Sequence, residues 1–242
     1  MCRAPAAIAA LALFAFAARA DAARAEMGPC VPAAFDLVCG NGPGAGRAIL
    51  KTVSPSKRLA FGWRLSNRPA TDRPEQNDPY LENFVVRIED GAVLARSRGA
   101  YWDLGSTIAK AFLIAAWSPD SHLLFRVEQS GESSSAEFYS FTGTDEVAGP
   151  IELVKVIKAA VQEKTKEGKG PNNSILLFNS HPAVTVDNQG SIHATVFTRA
   201  KDASDSRPYE VVVQVVRTGN SLDGKVVSIR PYEGTAGSII VH

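Results

Sequence analysis

Asn83-Phe-Val-Val-Arg-Ile88, then Glu89-Asp-Gly91, then Ala92-Val-Leu-Ala95: two short apolar runs, rich in β-branched and aromatic residues, are joined by an Asp-Gly turn. Asp-Gly between apolar runs is a strong local signal for a β-hairpin, because glycine takes the positive φ of a tight turn at no steric cost. The same alternation of apolar runs and turn signals extends in both directions. Upstream lies Arg58-Leu-Ala-Phe-Gly-Trp-Arg-Leu65; downstream lie 111–117, 123–127, 136–141, 174–178, 183–186, 192–197 and 209–216. A last run, 226–229, follows a second Asp-Gly at 223–224. Many short strands separated by turns predict a mainly β protein of antiparallel sheets, arranged as a sandwich or like a propeller. Thr71 to Pro79, with charged side chains and two prolines, reads as an exposed loop.

One segment breaks the rhythm. Ile151, Val154, Ile157 and Val161 recur at helical spacing, which predicts a single amphipathic helix over 151–167. Pro150 fits its first turn and Gly168 its end. Residues 51–242 then form one β-rich domain carrying a helical insertion. Residues 26–50 are an opening segment rich in Gly and Pro.

Val53-Ser-Pro-Ser-Lys-Arg-Leu-Ala-Phe61 repeats as Trp117-Ser-Pro-Asp-Ser-His-Leu-Leu-Phe125, at an offset of 64 residues. Val186-Asp-Asn-Gln-Gly-Ser-Ile-His-Ala194 aligns with the second copy at an offset of 69, more loosely. The middle copy resembles the Trp-Ser-Pro-Asp-Gly turn of the WD40-like repeat in TolB-type β-propellers, where the turn joins two inner strands of a blade. Ser121 stands where that family usually has Gly, and Ser56 where it usually has Asp. The offsets also exceed the roughly 40–50 residues expected per blade. The resemblance implies a propeller, while the strand pattern by itself is met equally by a sandwich with one docked helix.

The first 25 residues carry an address. Arg3 precedes an uncharged apolar run of 13, Ala6 to Ala18, and two small-x-small sites end at Ala20 and Ala25. This is the order of a secretory signal peptide, and the run is shorter than the about 20 residues of a membrane-spanning helix. The expected product is periplasmic or secreted, without a membrane anchor. Its two cysteines, Cys30 and Cys39, then pair as a disulfide in an oxidising compartment. Removing residues 1–25 takes away three Arg and one Asp and leaves a net charge of −1. So neutral a chain has no field to draw it onto nucleic acid.

Chemistry-bearing motifs are sparse. The four histidines, at 122, 181, 193 and 242, show no paired ligand spacing, so no metal is expected. The acidic run 202–206 lacks the glycine and distal glutamate of a calcium loop. The glycines of 40–46 lack the Lys-Ser/Thr ending of a phosphate loop, and no cofactor is implied. No serine elbow is present, and a dispersed triad of a serine with His181 and Asp187 is the one hydrolase arrangement to look for. Tyr101 and Trp102 are the candidate binding contacts, since adjacent strand residues face opposite sides and one of the two is expected at the surface. The reading is an exported, non-enzymatic binding module for a protein or cell-envelope component; a small exported hydrolase is the alternative.

Overall fold

The computed structural model describes residues 27–75, 78–104, 112–130, 133–143, 146–165, 174–178 and 183–233. The signal-like segment, His181, His242, the acidic run 202–206 and the end of the expected helix beyond Thr165 lie outside the described residues.

Among the described residues, fifteen strands form three antiparallel sheets, each built from one contiguous stretch of chain, and one α-helix joins them. The first sheet runs in sequence order, β1 (Cys30–Pro32), β2 (Leu37–Cys39), β3 (Gly46–Ala48), β4 (Leu59–Leu65), β5 (Leu81–Arg87) and β6 (Val93–Ser97). The second is a four-stranded meander of β7 (Phe112–Trp117), β8 (Leu123–Ser130), β9 (Ser133–Thr142) and β10 (Glu146–Glu152). In the third, β13 (Ser191–Ala200) is flanked on one side by β11 (Ser174–Phe178) and β12 (Thr185–Val186). On its other side come β14 (Pro208–Thr218) and β15 (Ser221–Pro231). Among the described residues, no sheet closes into a barrel.

The second sheet is the middle layer, and strand alternation shows why. Leu124, Tyr139 and Phe141 pack toward the first sheet with Phe61, Trp63, Leu65 and Val85. Phe125, Val127, Ala136 and Phe138, one position out of phase, pack toward the third sheet with Phe178, Ile192, Val196, Val211 and Val213. A strand's side chains alternate faces, so a strand buried on both sides is apolar nearly throughout. The near-continuous apolar character of 123–127 follows from this position. A third cluster covers the outer face of the first sheet, where Leu37, Cys39, Ala48, Ala60, Phe84 and Val86 meet Met27 and Cys30.

The opening Gly- and Pro-rich segment, 26–50, contributes three strands. Each has only 3 residues, too few for an alternation pattern to register. The Cys30–Cys39 disulfide joins directly opposed residues of β1 and β2.

Helix α1 spans Val154–Thr165, starting later than its apolar spacing suggests. Ile151 and Glu152 are still strand residues, paired with Phe138 and Glu137 beyond a bulge that follows Ala148. Glu152 Oε1 then accepts the backbone N–H groups of Val154 and Ala136, both at 3.0 Å, fastening the helix start to β9. Ile157 and Val161 are fully buried between the second and third sheets. The Asp223-Gly224 pair is not a turn. It lies inside β15, while the hairpin turns at Gly219 and Asn220. A Cβ on Gly224 would come within 2.5 Å of the Leu153 side chain, so this glycine makes room for the helix start.

Candidate functional site

The three sequence repeats adopt one turn three times. In the first, Ser54 N–H donates to the Leu59 carbonyl at 2.8 Å, and Ser54 Oγ accepts the Leu59 N–H at 3.1 Å. In the second, Ser118 does the same with Leu123, its Oγ accepting at 2.9 Å. In the third, Asp187 replaces the serine, and its Oδ1 accepts Ser191 N–H at 2.8 Å, the turn being one residue shorter. Three residues after the opening residue, each turn passes through the left-handed region: Lys57 at φ 60°, Ser121 at φ 66° and Gly190 at φ 82°. The third copy has the glycine that this conformation favours; the first two hold non-glycine residues there against a cost of roughly 1–2 kcal/mol.

The turns also touch. Ser56 N–H donates to Ser121 Oγ at 2.9 Å, and Asp120 N–H donates to Asn188 Oδ1 at 3.2 Å. Trp117 Nε1 donates to the carbonyl of Thr52 at 2.7 Å, tying the end of β7 to the 3-10 turn Leu50–Thr52. One turn from each sheet thus meets at a shared rim. Ser54, Ser118, Ser121 and Gly190 are buried within it. Pro55, Ser56, Lys57, Arg58, Pro119, Asp120, His122, Asn188 and Gln189 are exposed on it. A cleft of about 60 Å³ lies between the first two turns, lined by Ser56, Arg58, Arg87, Asp120, Ser121 and His122 among others.

The rim carboxylates serve the turns. Burial pushes the Asp187 carboxyl up, but the hydrogen bonds from Ser191 and Gln189 outweigh it and hold it below the usual carboxylate range. Burial acts the same way on Asp120 and is again outweighed, here by the Ser118 hydroxyl and the His122 N–H. Asp187 is accordingly a turn residue whose Oδ1 already accepts two backbone N–H groups. The triad partner proposed for it, His181, lies outside the described residues.

Tyr101 and Trp102 are both buried, at 1% and 9% exposure, which corrects the expectation of a surface aromatic. The pair does not sit in a regular strand, so strict alternation does not apply to it. Asn83 locks the backbone of Tyr101, its side chain bonding Tyr101 N–H and C=O at 3.0 and 2.7 Å. The Tyr101 hydroxyl meets Lys51 Nζ at 3.0 Å, and burial holds that phenol above its ordinary pKa. Both rings help fill the core between the first and second sheets.

A buried ionic cluster, which the sequence reading missed, lies in the same layer. Arg126 is fully buried over the ring of Phe61 and pairs with Glu128 and Glu137. Glu137 also accepts from the hydroxyls of Ser97 and Tyr139 and from Arg98 N–H, while Glu128 Oε1 accepts Ala100 N–H. The two carboxylates therefore hold the 97–100 segment that leaves the first sheet. Arg126, Glu128 and Glu137 are spaced two and nine residues apart on adjoining strands, with no motif to mark them. Their register, Arg126 opposite Glu137, was the signal a strand alignment could have given.

A wider concavity of about 440 Å³ lies on the third sheet, lined by Thr185, His193, Thr195, Glu210, Val212 and Arg230 among others. Among the described residues, no group of His, Cys, Asp or Glu could hold a metal ion. No described helix is long and apolar enough to cross a membrane. No protein-family model matches the chain, and no curated protein matches it in sequence.

Proposed function

We propose that the chain is an exported, disulfide-clipped binding module, released behind Ala20 or Ala25 in a periplasmic or secreted form. It contacts a protein or other cell-envelope component through the rim where its three repeated turns meet. The observation that carries this reading is the convergence itself: Ser56 bonds Ser121 and Asp120 bonds Asn188, fixing three loops from three sheets in one surface. Loops held by a rigid scaffold are a common platform for recognition. The exposed polar, proline and charged side chains along the rim supply contact groups, while the buried serines and Gly190 keep the backbone in place.

A propeller-like repeat accounts for the same geometry. Each turn leads into a long strand of its own sheet, β4, β8 or β13, and the repeat is displaced by one sheet each time. The resemblance to TolB-type propellers rests on this turn, and a non-enzymatic role rests on analogy to binding platforms of that shape.

The test compares the mature protein with a rim variant, Lys57→Glu with Arg58→Glu and Gln189→Ala, whose thermal midpoint is checked first. Both are immobilised and challenged with solubilised envelope from the source cells. A species retained by the natural protein and lost by the variant supports the reading. Identical retention overturns it, as does turnover of a hydrolase substrate that a single point mutation abolishes.

A further inference from the structure

The concavity of about 440 Å³ lies on the face of the third sheet turned away from the second. Strand alternation places its side chains there. Ile192, Ala194, Val196, Val211 and Val213 point into the core, so His193, Thr195, Glu210 and Val212 stand on the opposite face. Register arranges them in two adjoining rows. Thr195 is directly opposite Glu210, which is directly opposite Arg230; Thr185 is opposite His193, which is opposite Val212. Arg230 Nε donates to Glu210 Oε2. Thr195 is the member that points to a ligand. It is 1% exposed and lines the concavity, yet its hydroxyl makes no hydrogen bond among the described residues. Buried hydroxyls are ordinarily paired, and one left unpaired in a cavity wall is a group for which the chain supplies no partner.

We propose that this concavity binds a neutral sugar ring, whose hydroxyl groups bond Thr195, Glu210 and Arg230. Its volume falls within the about 300–1,000 Å³ of small-molecule sites. Charge selects the class of ligand. Glu210 and Arg230 cancel, so an anion would meet the carboxylate and a cation the guanidinium, each competing with the existing pair. A hydroxyl group both donates and accepts. Neighbouring hydroxyls of one ring can therefore give to Glu210 Oε1 and take from the Arg230 Nη groups while the pair through Nε and Oε2 stays intact. Val212 and Ala183 supply an apolar surface for the C–H face of the ring. An extended peptide is the poorer fit. β13 and β14 are paired along both edges, so the site offers no free backbone for strand addition. None of these residues belongs to the rim, and the inference stands apart from the rim's role.

The test titrates the full mature protein with the methyl glycosides of glucose, galactose, mannose and N-acetylglucosamine, and with glucuronate and glucosamine as charged counterparts. Backbone amide signals in NMR read both affinity and place. At least one neutral glycoside is expected to bind and to shift the amides of 193–195 and 210–212. Thr195→Val keeps the shape of the side chain and removes only the unpaired hydroxyl. It should leave the thermal midpoint unlowered and weaken that glycoside by about tenfold, the loss of one or two hydrogen bonds. Arg230→Gln, at an exposed position, should weaken it as well. Binding by none of the four neutral glycosides overturns the proposal, as do shifts confined to other surfaces. Tighter binding of glucuronate or glucosamine overturns it too. So does a Thr195→Val protein that binds unchanged, or one whose midpoint falls, since the hydroxyl would then serve the fold.

Discussion

Ser56 N–H donates to the Oγ of Ser121 at 2.9 Å, joining equivalent turns of two different sheets across 65 residues of sequence. Ser121 is buried and sits at φ 66°, so one residue both closes its own turn and receives its neighbour. The rim depends on such shared residues, and its energetics can be tested one turn at a time.

Lys57 is the cleanest site. It takes the left-handed conformation at φ 60° with its side chain exposed, so Lys57→Gly relieves backbone strain and removes nothing buried. We expect a gain of about 0.5–1 kcal/mol in urea unfolding. Gly190→Ala is the converse. It forces a side chain into the same conformation and toward the Val215 carbonyl, 2.6 Å from the added carbon, and a loss of at least about 1 kcal/mol is expected. Negligible effects at both sites would show that the left-handed position of these turns carries no strain.

The ionic cluster between the first two sheets makes a stronger demand. Arg126→Leu leaves the buried Glu137 and the half-buried Glu128 without their cation, and breaking a buried pair costs about 3–5 kcal/mol. Tyr139→Phe removes one hydrogen bond to Glu137 and should cost about 1 kcal/mol. Replacing Arg126 together with both glutamates by apolar residues should recover much of the Arg126→Leu loss. Chemical denaturation of the four proteins checks the order.

Much of this architecture was legible in the sequence, and the reasons for the misses are physical. β4 to β9 and β11 to β14 coincide with apolar runs because each has a face or both faces in a core, while β15 was legible only in its later half, 226–229. β1 to β3 escaped because three-residue strands show no period, and β10 because Gly149 and Pro150 interrupt it. The helix was placed three residues early because Ile151 continues the helical spacing while its backbone is still paired with Phe138. Asp223-Gly224 looked like a turn, although Gly224 is there to admit Leu153. Of the candidate site, the repeated turns could be aligned by eye. Their meeting could not, since it depends on how three sheets stack.

Acid should loosen the rim. The carboxyls of Asp120 and Asp187 titrate below their ordinary values in the folded chain, so folding favours their charged forms. Their contribution is full above the unfolded value of about 3.9 and is lost as pH falls through the lower folded values. Asp187→Asn keeps an acceptor for Ser191 but does not titrate. Its stability deficit relative to the natural chain should therefore be largest above about pH 4 and shrink below it. Urea midpoints measured from pH 2 to 6 test this, and a deficit independent of pH would refute it.

Export and the disulfide make the last prediction, and both are read from mass. The protein recovered from its native compartment should lack its first 20 or 25 residues and carry Cys30 joined to Cys39, opposed on β1 and β2. An uncleaved apolar run of 13 would be costly to leave in water, which motivates the processing claim. Intact mass before and after reduction and alkylation separates the two parts. A full-length mass would sink the cleavage, and two thiols alkylated without reductant would sink the bond. With the bond present, Cys39→Ser should cost roughly 2–3 kcal/mol, the range expected for closing so short a loop. Because Cys39 is wholly buried in the outer cluster, Cys39→Ala is the control that separates lost cross-linking from a buried hydroxyl.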